Sequence, residues 1–259
     1  MDILLIVPCH NEERGLKRMI EAMPSFHPST RLHMVVIDNN CSDQTSRIAK
    51  EKGITVVHEP RQGKGFAMKR GFEQVTGKTD YVVMMDGDNT YDVGELHRLL
   101  EPLMNGFGEA ISGSRLHGRI TENSMDTFNR WGNWFLTFLA RVAYRTNITD
   151  VCTGYWAWRR DAIERLRPHL TSDSFSIEME MVAKMARLGI SSYSVPVTYR
   201  QREGTSKLRP FKDGFSIITT WAKHLLWYPI EEIQNEHYKK EDTPPADSPE
   251  GAASSPRAQ

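Results

Sequence analysis

Short apolar runs alternate with amphipathic stretches through the first half of the chain. Residues 3–7 read as a buried strand, and residues 12–23 follow at helical spacing. Strands at 34–37 and 54–57 are followed by a helix each, at 42–52 and 65–75. Ser42 is placed to cap the first of these through its hydroxyl. A fourth strand at 81–85 (YVVMM) precedes a helix at 93–104. Continuous apolar strands separated by helices of about ten residues predict a mostly parallel α/β sheet, Rossmann-like, with helices on both faces. Such a sheet places ligands outside the C-terminal ends of its strands. The polar clusters 8–12, 38–43 and 86–88 all fall there.

The second half is less regular. It gives strands at 110–112, 155–158 and 191–199, and helices at 127–145, 175–188 and 214–228. The helices at 127–145 and 214–228 are rich in aromatics and read either as core helices or as helices lying in a membrane interface. Residues 239–259 hold four prolines and no apolar side chain larger than alanine, which predicts a disordered tail from about residue 237.

Composition narrows the function. The 259 residues hold 33 basic and 33 acidic side chains, so a nucleic-acid binder relying on a basic surface is excluded. Cys9, Cys41 and Cys152 form no CxxC pair and make neither a disulfide framework nor a zinc site. A reduced, cytoplasmic compartment is the simplest expectation. The first residues lack the pattern of a signal peptide, and no apolar run reaches the ~18 residues of a spanning helix.

Candidate chemistry starts at Asp86-Gly87-Asp88, on the turn leaving the fourth strand. Two carboxylates one residue apart can share Mg²⁺ or Mn²⁺, which prefer oxygen ligands and often bridge to phosphates. The bland reading is a solvated Asp-Gly turn. Asp38 ends the second strand and suits a ribose or base N–H, or a plain turn. Glu12, after the first strand, suits the same ligand or the dipole of its own helix. Gln62-Gly63-Lys64-Gly65 lacks P-loop spacing and is either a loop beside a diphosphate or a simple helix start. Arg115, Arg130, Arg200, Arg202, Lys207 and Arg209 offer phosphate-binding side chains or a solvated charged surface. Glu178 and Glu180 point roughly 200° apart on a helix, so one faces a cleft with Phe175 and the other solvent or an ion pair.

Together these segments resemble glycosyltransferase family 2, of the dolichyl- or polyprenyl-phosphate hexosyltransferase type. The resemblance rests on VPCHNEE, VIDNNCSDQT, RQGKGFAMKRGF, MMDGDNTYD, GSR, TGYWAWRR, FSIEMEM and VPVTYRQREGTSKLRP, in that order over about residues 2–212. It implies a GT-A fold over 1–236, with a nucleotide-sugar half to about 113 and an acceptor half beyond. It implies transfer of a hexose, with inversion, from a UDP- or GDP-sugar to dolichyl or polyprenyl phosphate. Mg²⁺ or Mn²⁺ would be held by Asp86 and Asp88. Pro8, His10, Glu12, Ile37, Asp38, Met85, Gly87 and Glu178 would line the donor, and Arg115 and Arg130 would hold phosphates. Ser206 and Lys207 match a late Ser-Lys motif, which Arg200 or Arg202 would join. Thr90 stands where mannosyl members carry glutamine, His10 where tyrosine is common, and Glu178 where glutamine is common. A lipid acceptor implies peripheral contact with the cytoplasmic membrane face, with a small membrane partner as a further possibility. The alternatives are a soluble enzyme with a hydroxyl acceptor and Glu178 as base, and a non-catalytic nucleotide-sugar-binding subunit.

Overall fold

Seven strands form one sheet in the order β3-β2-β1-β4-β6-β5-β7 in the computed structural model, which describes residues 1–204 and 207–229. The strands are β1 (Asp2–Cys9), β2 (Arg31–Asp38), β3 (Thr55–His58), β4 (Tyr81–Met85), β5 (Ala110–Ile120), β6 (Tyr155–Arg159) and β7 (Ser192–Tyr199). All run parallel except β6, which is antiparallel to both β4 and β5. The expected mostly parallel sheet is therefore present. Its helices are α1 (Glu13–Glu21), α2 (Thr45–Glu51), α3 (Lys64–Phe72), α4 (Leu96–Met104), α5 (Thr127–Tyr144), α6 (Arg160–Leu166), α7 (Ile177–Arg187) and α8 (Pro210–Lys223). Helix α6 has no counterpart in the sequence reading, and β5 runs eight residues past its expected end at 112. Ser206 and the tail at 237–259 lie outside the described residues. Residues 1–227 form one compact unit, which holds the whole sheet and all eight helices named above.

Strand alternation splits the core in two. On β1, Leu4 and Ile6 pack with α3, α5, α6 and α7, while Ile3, Leu5 and Val7 face α1, α2 and α4. Both faces are covered, so β1 reads as an unbroken apolar run. Trp156 and Trp158 on β6 are fully buried, and Trp158 meets Phe72 of α3 edge to face at 5.5 Å. Such pairs add roughly 0.5–1.5 kcal/mol beyond area burial. Helix α2 corrects the capping expectation: it starts at Thr45, and the Ser42 backbone N–H and hydroxyl both donate to Asn11 Oδ1 instead. Asp43 takes the local role, accepting from the Thr45 N–H at 2.9 Å. Among the described residues no helix is long and apolar enough to cross a membrane.

Candidate active site

The parallel arrangement of β1, β2 and β4 brings their C-terminal ends together, and a cavity of about 680 Å³ opens there. Asp86 and Asp88 line or floor it from the turn after β4, with Asn89 in the left-handed region that asparagine tolerates. Gly87 allows that turn to lie on β1, since a Cβ there would meet Cys9 Sγ at 2.5 Å. Thr90 donates its N–H (3.0 Å) and hydroxyl (2.6 Å) to Asp88 Oδ1, so the residue at the glutamine position holds the acid in place.

Each acid faces a cation. Lys64, the first residue of α3, lies 2.9 Å from Asp86 and 2.7 Å from Glu178. Burial alone would lower its pKa, but the two carboxylates outweigh that and raise it. Asp88 pairs with Arg202, which also reaches Glu12. Lys207 lies 3.2 Å from Glu12. Burial pushes the Glu12 carboxyl up to about 7, against the pull of Arg202 and Lys207. Glu178 is likewise raised, chiefly by burial, with Lys64 opposing.

The late basic segment reaches the acids through backbone bonds that no local pattern announces. The Arg200 N–H donates to the Thr90 carbonyl (2.7 Å) and the Glu203 N–H to the Asp88 carbonyl (3.4 Å). The two arginines part company here. Arg202 lines the cavity, whereas Arg200 is exposed and paired with Asp92.

Other candidates are scattered more widely. Pro8, His10, Glu12 and Gly87 line the cavity. His10 Nδ1 faces the Asn39 carbonyl at 2.8 Å, which makes it the N–H donor and leaves Nε2 to accept from Gln62. Asp38 lies beside the cavity, accepting from Ser46 Oγ (2.5 Å) and the Cys41 N–H (2.8 Å). Ile37 and Met85 are fully buried in the core and are not among the residues lining this cavity. Arg130 is exposed on α5 and lines neither this cavity nor its neighbour. Arg115 is buried and bound twice by Asp150, at 2.7 and 2.8 Å, so its guanidinium already has a carboxylate partner. Asp150 in turn accepts from Asn133 Nδ2 at 2.7 Å.

A second cavity of about 670 Å³ adjoins the first. Lys64, Asp86, Phe175, Arg202 and Leu208 line both. Its outer walls are apolar, with Phe128 and Phe135 of α5 and Phe211, Phe215 and Ile218 of α8. The sequence reading singled out neither Asn39 nor Lys212, which line the first cavity, nor Gly154. A Cβ on Gly154 would fall 1.9 Å from Asp86 Oδ2. Asn39 binds the carbonyls of Glu59 and Arg61 and the Gly63 N–H, three contacts with no sequence signature.

Acids at the strand ends, cations across from them and an apolar annex make a site for an anionic ligand. Residues 4–167 match the family model Glycosyl transferase family 2. The chain belongs to that family. It is 35% identical over 213 residues to the low-salt glycan biosynthesis hexosyltransferase Agl6 of Haloferax volcanii, covering 82% of this chain and 51% of Agl6. The chain thus spans about half the length of that relative. It is 27% identical to the dolichyl-phosphate hexose transferase of the same organism, covering 83% of this chain and 90% of that one. It is also 27% identical to the undecaprenyl-phosphate mannosyltransferase of Micrococcus luteus, covering 88% and 96%. Among solved structures, glucosyl-3-phosphoglycerate synthase from Mycobacterium tuberculosis with Mn²⁺, UDP and phosphoglyceric acid superposes with a TM-score of 0.64. That match covers 88% of this chain and 79% of the other at 19% identity, a likeness of fold. The family and the GT-A-type fold expected from the sequence are both present.

The donor set suits a divalent cation. Asp86 and Asp88 are hard oxygen donors on a cavity, and the cations beside them match diphosphate oxygens. Among the described residues no cluster of three or more His, Cys, Asp or Glu is set to hold a metal. An ion here would rest on two carboxylates and complete its shell with substrate and water oxygens.

Proposed function

We propose that the protein transfers a hexosyl group from a nucleotide diphospho-sugar to a polyprenyl phosphate such as dolichyl phosphate, with Mg²⁺ or Mn²⁺ bound by Asp86 and Asp88. The observation that carries this reading is the junction of a charged cavity and an apolar one at Lys64, Asp86 and Arg202. An acceptor with an anionic head and a hydrocarbon tail has both its parts accommodated there. The names of the dolichyl-phosphate and undecaprenyl-phosphate relatives support the same acceptor class.

The residues divide the work by charge. When bound, the divalent ion supplies charge neutralisation to the departing nucleoside diphosphate. Lys64, Arg202 and Lys207 bind phosphate oxygens and hold the two anionic groups against one another. His10, Glu12 and Asp38 stand on the nucleoside side. A phosphate monoester is ionised at neutral pH, so its oxygen attacks the anomeric carbon without a general base, and displacement inverts the configuration. Catalysis is then mostly positioning and electrostatic stabilisation.

One feature favours a hydroxyl acceptor instead. Glu178 is buried beside the junction, its carboxyl is raised, and its Oε2 accepts no hydrogen bond among the described residues. A base of that kind would deprotonate an alcohol. The deciding assay is transfer of radiolabelled hexose from UDP- and GDP-sugars to dolichyl phosphate with Mg²⁺ or Mn²⁺. We expect label in the lipid extract, its loss in Asp88→Ala, and only a modest fall in Glu178→Gln. Folded protein that transfers label to no lipid phosphate from any donor rejects the reading. Label on an alcohol acceptor that Glu178→Gln abolishes moves it to the second.

A further inference from the structure

Helix α5 is apolar on two sides. Asn133, Leu136, Thr137, Ala140 and Tyr144 face the protein. Phe128, Trp131, Phe135, Phe138 and Val142 recur at the i, i+3, i+7, i+10, i+14 spacing and fall within an arc of about 80° on the opposite side. They are exposed: Trp131 is 64% accessible, Phe138 50% and Val142 65%. Trp134 extends this face by stacking on Phe138, with ring centroids 5.9 Å apart. A surface helix ordinarily turns charged residues outward, and isolated exposed apolar side chains need no explanation, whereas a continuous stripe does.

Helix α8 continues the stripe. Phe211 and Phe215 are 82% and 70% accessible, and Ile218 completes their i, i+4, i+7 row. Phe211 contacts Phe128 at 5.7 Å between ring centroids, which joins the two helices into one face. The second cavity opens through it, since Phe128, Phe135, Phe211, Phe215 and Ile218 line that cavity and are themselves exposed.

Charge identifies what covers this face. Residues 127–145 hold three arginines and no acid, in a chain whose totals balance, and α8 ends on the exposed Lys223. Arg130 and Arg141 are exposed and project from the same side of α5, along the edge of the stripe next to Trp134. A second copy of the chain packed symmetrically on the face would oppose like charges. An anionic bilayer surface matches both parts, taking tryptophan and phenylalanine at the headgroup level and basic side chains at the phosphates.

We propose that the joined faces of α5 and α8 dock on an anionic lipid bilayer, with the second cavity opening toward its hydrocarbon. Docking needs neither nucleotide nor polyprenyl phosphate, so it is tested apart from the proposed reaction. The full chain is sedimented with vesicles of phosphatidylcholine alone and of phosphatidylcholine with phosphatidylglycerol. We expect binding to the anionic vesicles that weakens as salt rises. The variant Trp131→Ser/Trp134→Ser/Phe138→Ser alters no cavity-lining residue, and should lose about tenfold or more in partitioning. Its thermal shift with nucleoside diphosphate and Mn²⁺ should be retained. Brominated lipid provides a check on the unaltered chain, since Trp131 and Trp134 are its exposed tryptophans and their fluorescence should be quenched. Protein left in the supernatant, unquenched fluorescence, or a dimer that the triple variant dissociates overturns the proposal.

Discussion

Glu12 is the residue with the most conflict around it. It sits among Arg202, Lys207 and Asp88, and burial pushes its carboxyl from 4.5 up to about 7. The folded state therefore holds a proton that the unfolded chain gives up at lower pH. Stability falls as pH rises from about 4.5 through 7, and the loss is complete above that. Replacing the carboxyl by an amide removes this penalty. Glu12→Gln should gain stability over the parent with rising pH, by up to about 3 kcal/mol at pH 8, and the gap should close near pH 4.5. Chemical denaturation of both proteins at the two pH values measures it; a gap independent of pH refutes the assignment. Gly154 makes a sharper steric case. A methyl group there would overlap Asp86 Oδ2, 1.9 Å away, so Gly154→Ala must displace the carboxylate. A shift of about 1 Å at a reacting centre costs on the order of 10²-fold in rate. We expect that loss in the transfer assay while the far-ultraviolet circular dichroism stays unchanged.

At the scale of elements, α7 organises the site with two acids that point different ways. Glu178 turns to Lys64 and the cavity. Glu180 is fully buried and accepts from the Thr171 N–H and hydroxyl, the Ser172 N–H and Lys184, with His224 3.4 Å away. Burial would raise its pKa, but the bonds from His224, Lys184, Thr171 and Ser172 together hold it well below the usual range. Its stabilisation is present above about 4.5 and is lost as pH falls from there. The segment it clamps packs against the start of α3. A Cβ on Gly63 would come within 2.2 Å of the Asp173 carbonyl oxygen, and one on Gly65 within 2.3 Å of that of Ser172. Glu180 thereby fixes the approach of Lys64 to Asp86. Glu180→Ala should cost about 3–5 kcal/mol at pH 7 and reduce kcat more than it weakens donor binding, with Glu180→Gln intermediate; equal effects on both kinetic constants would reject the positioning role. This clamp marks where the sequence stops being legible. The strands, the acids after β4 and the split between Glu178 and Glu180 follow from periodicity alone. The two glycines around Lys64 admitted a phosphate loop or a plain turn, because the backbone that needs them lies over 100 residues away. The pairing of Arg115 with Asp150, 35 residues distant, has no local signature either. The stripe on α5 has the spacing of a core helix, and only its exposure distinguishes it.

Across the molecule, 33 acidic and 33 basic residues cancel, yet the site concentrates both signs and pairs them closely. That pairing has a consequence for ligand binding. A divalent cation alone must compete with Lys64 for Asp86 and with Arg202 for Asp88, and its arrival takes one acid from each, leaving Lys64 with Glu178 and Arg202 with Glu12. A nucleoside diphosphate alone meets cations already held by carboxylates. Bound together, the metal takes the acids and the diphosphate takes Lys64 and Arg202, so every charge is matched again. The two ligands should therefore bind with positive coupling, of the 1–3 kcal/mol typical of linked sites. Thermal shift reports this directly, because a ligand that binds the folded state raises apparent stability. We expect Mn²⁺ with UDP or GDP to raise the midpoint by more than the sum of the separate shifts. In Lys64→Met the excess should shrink, since the metal then reaches Asp86 unopposed and one partner for the diphosphate is gone. Additive shifts in the parent protein would show that the cations do not compete for these acids, and the charge exchange described here would fail.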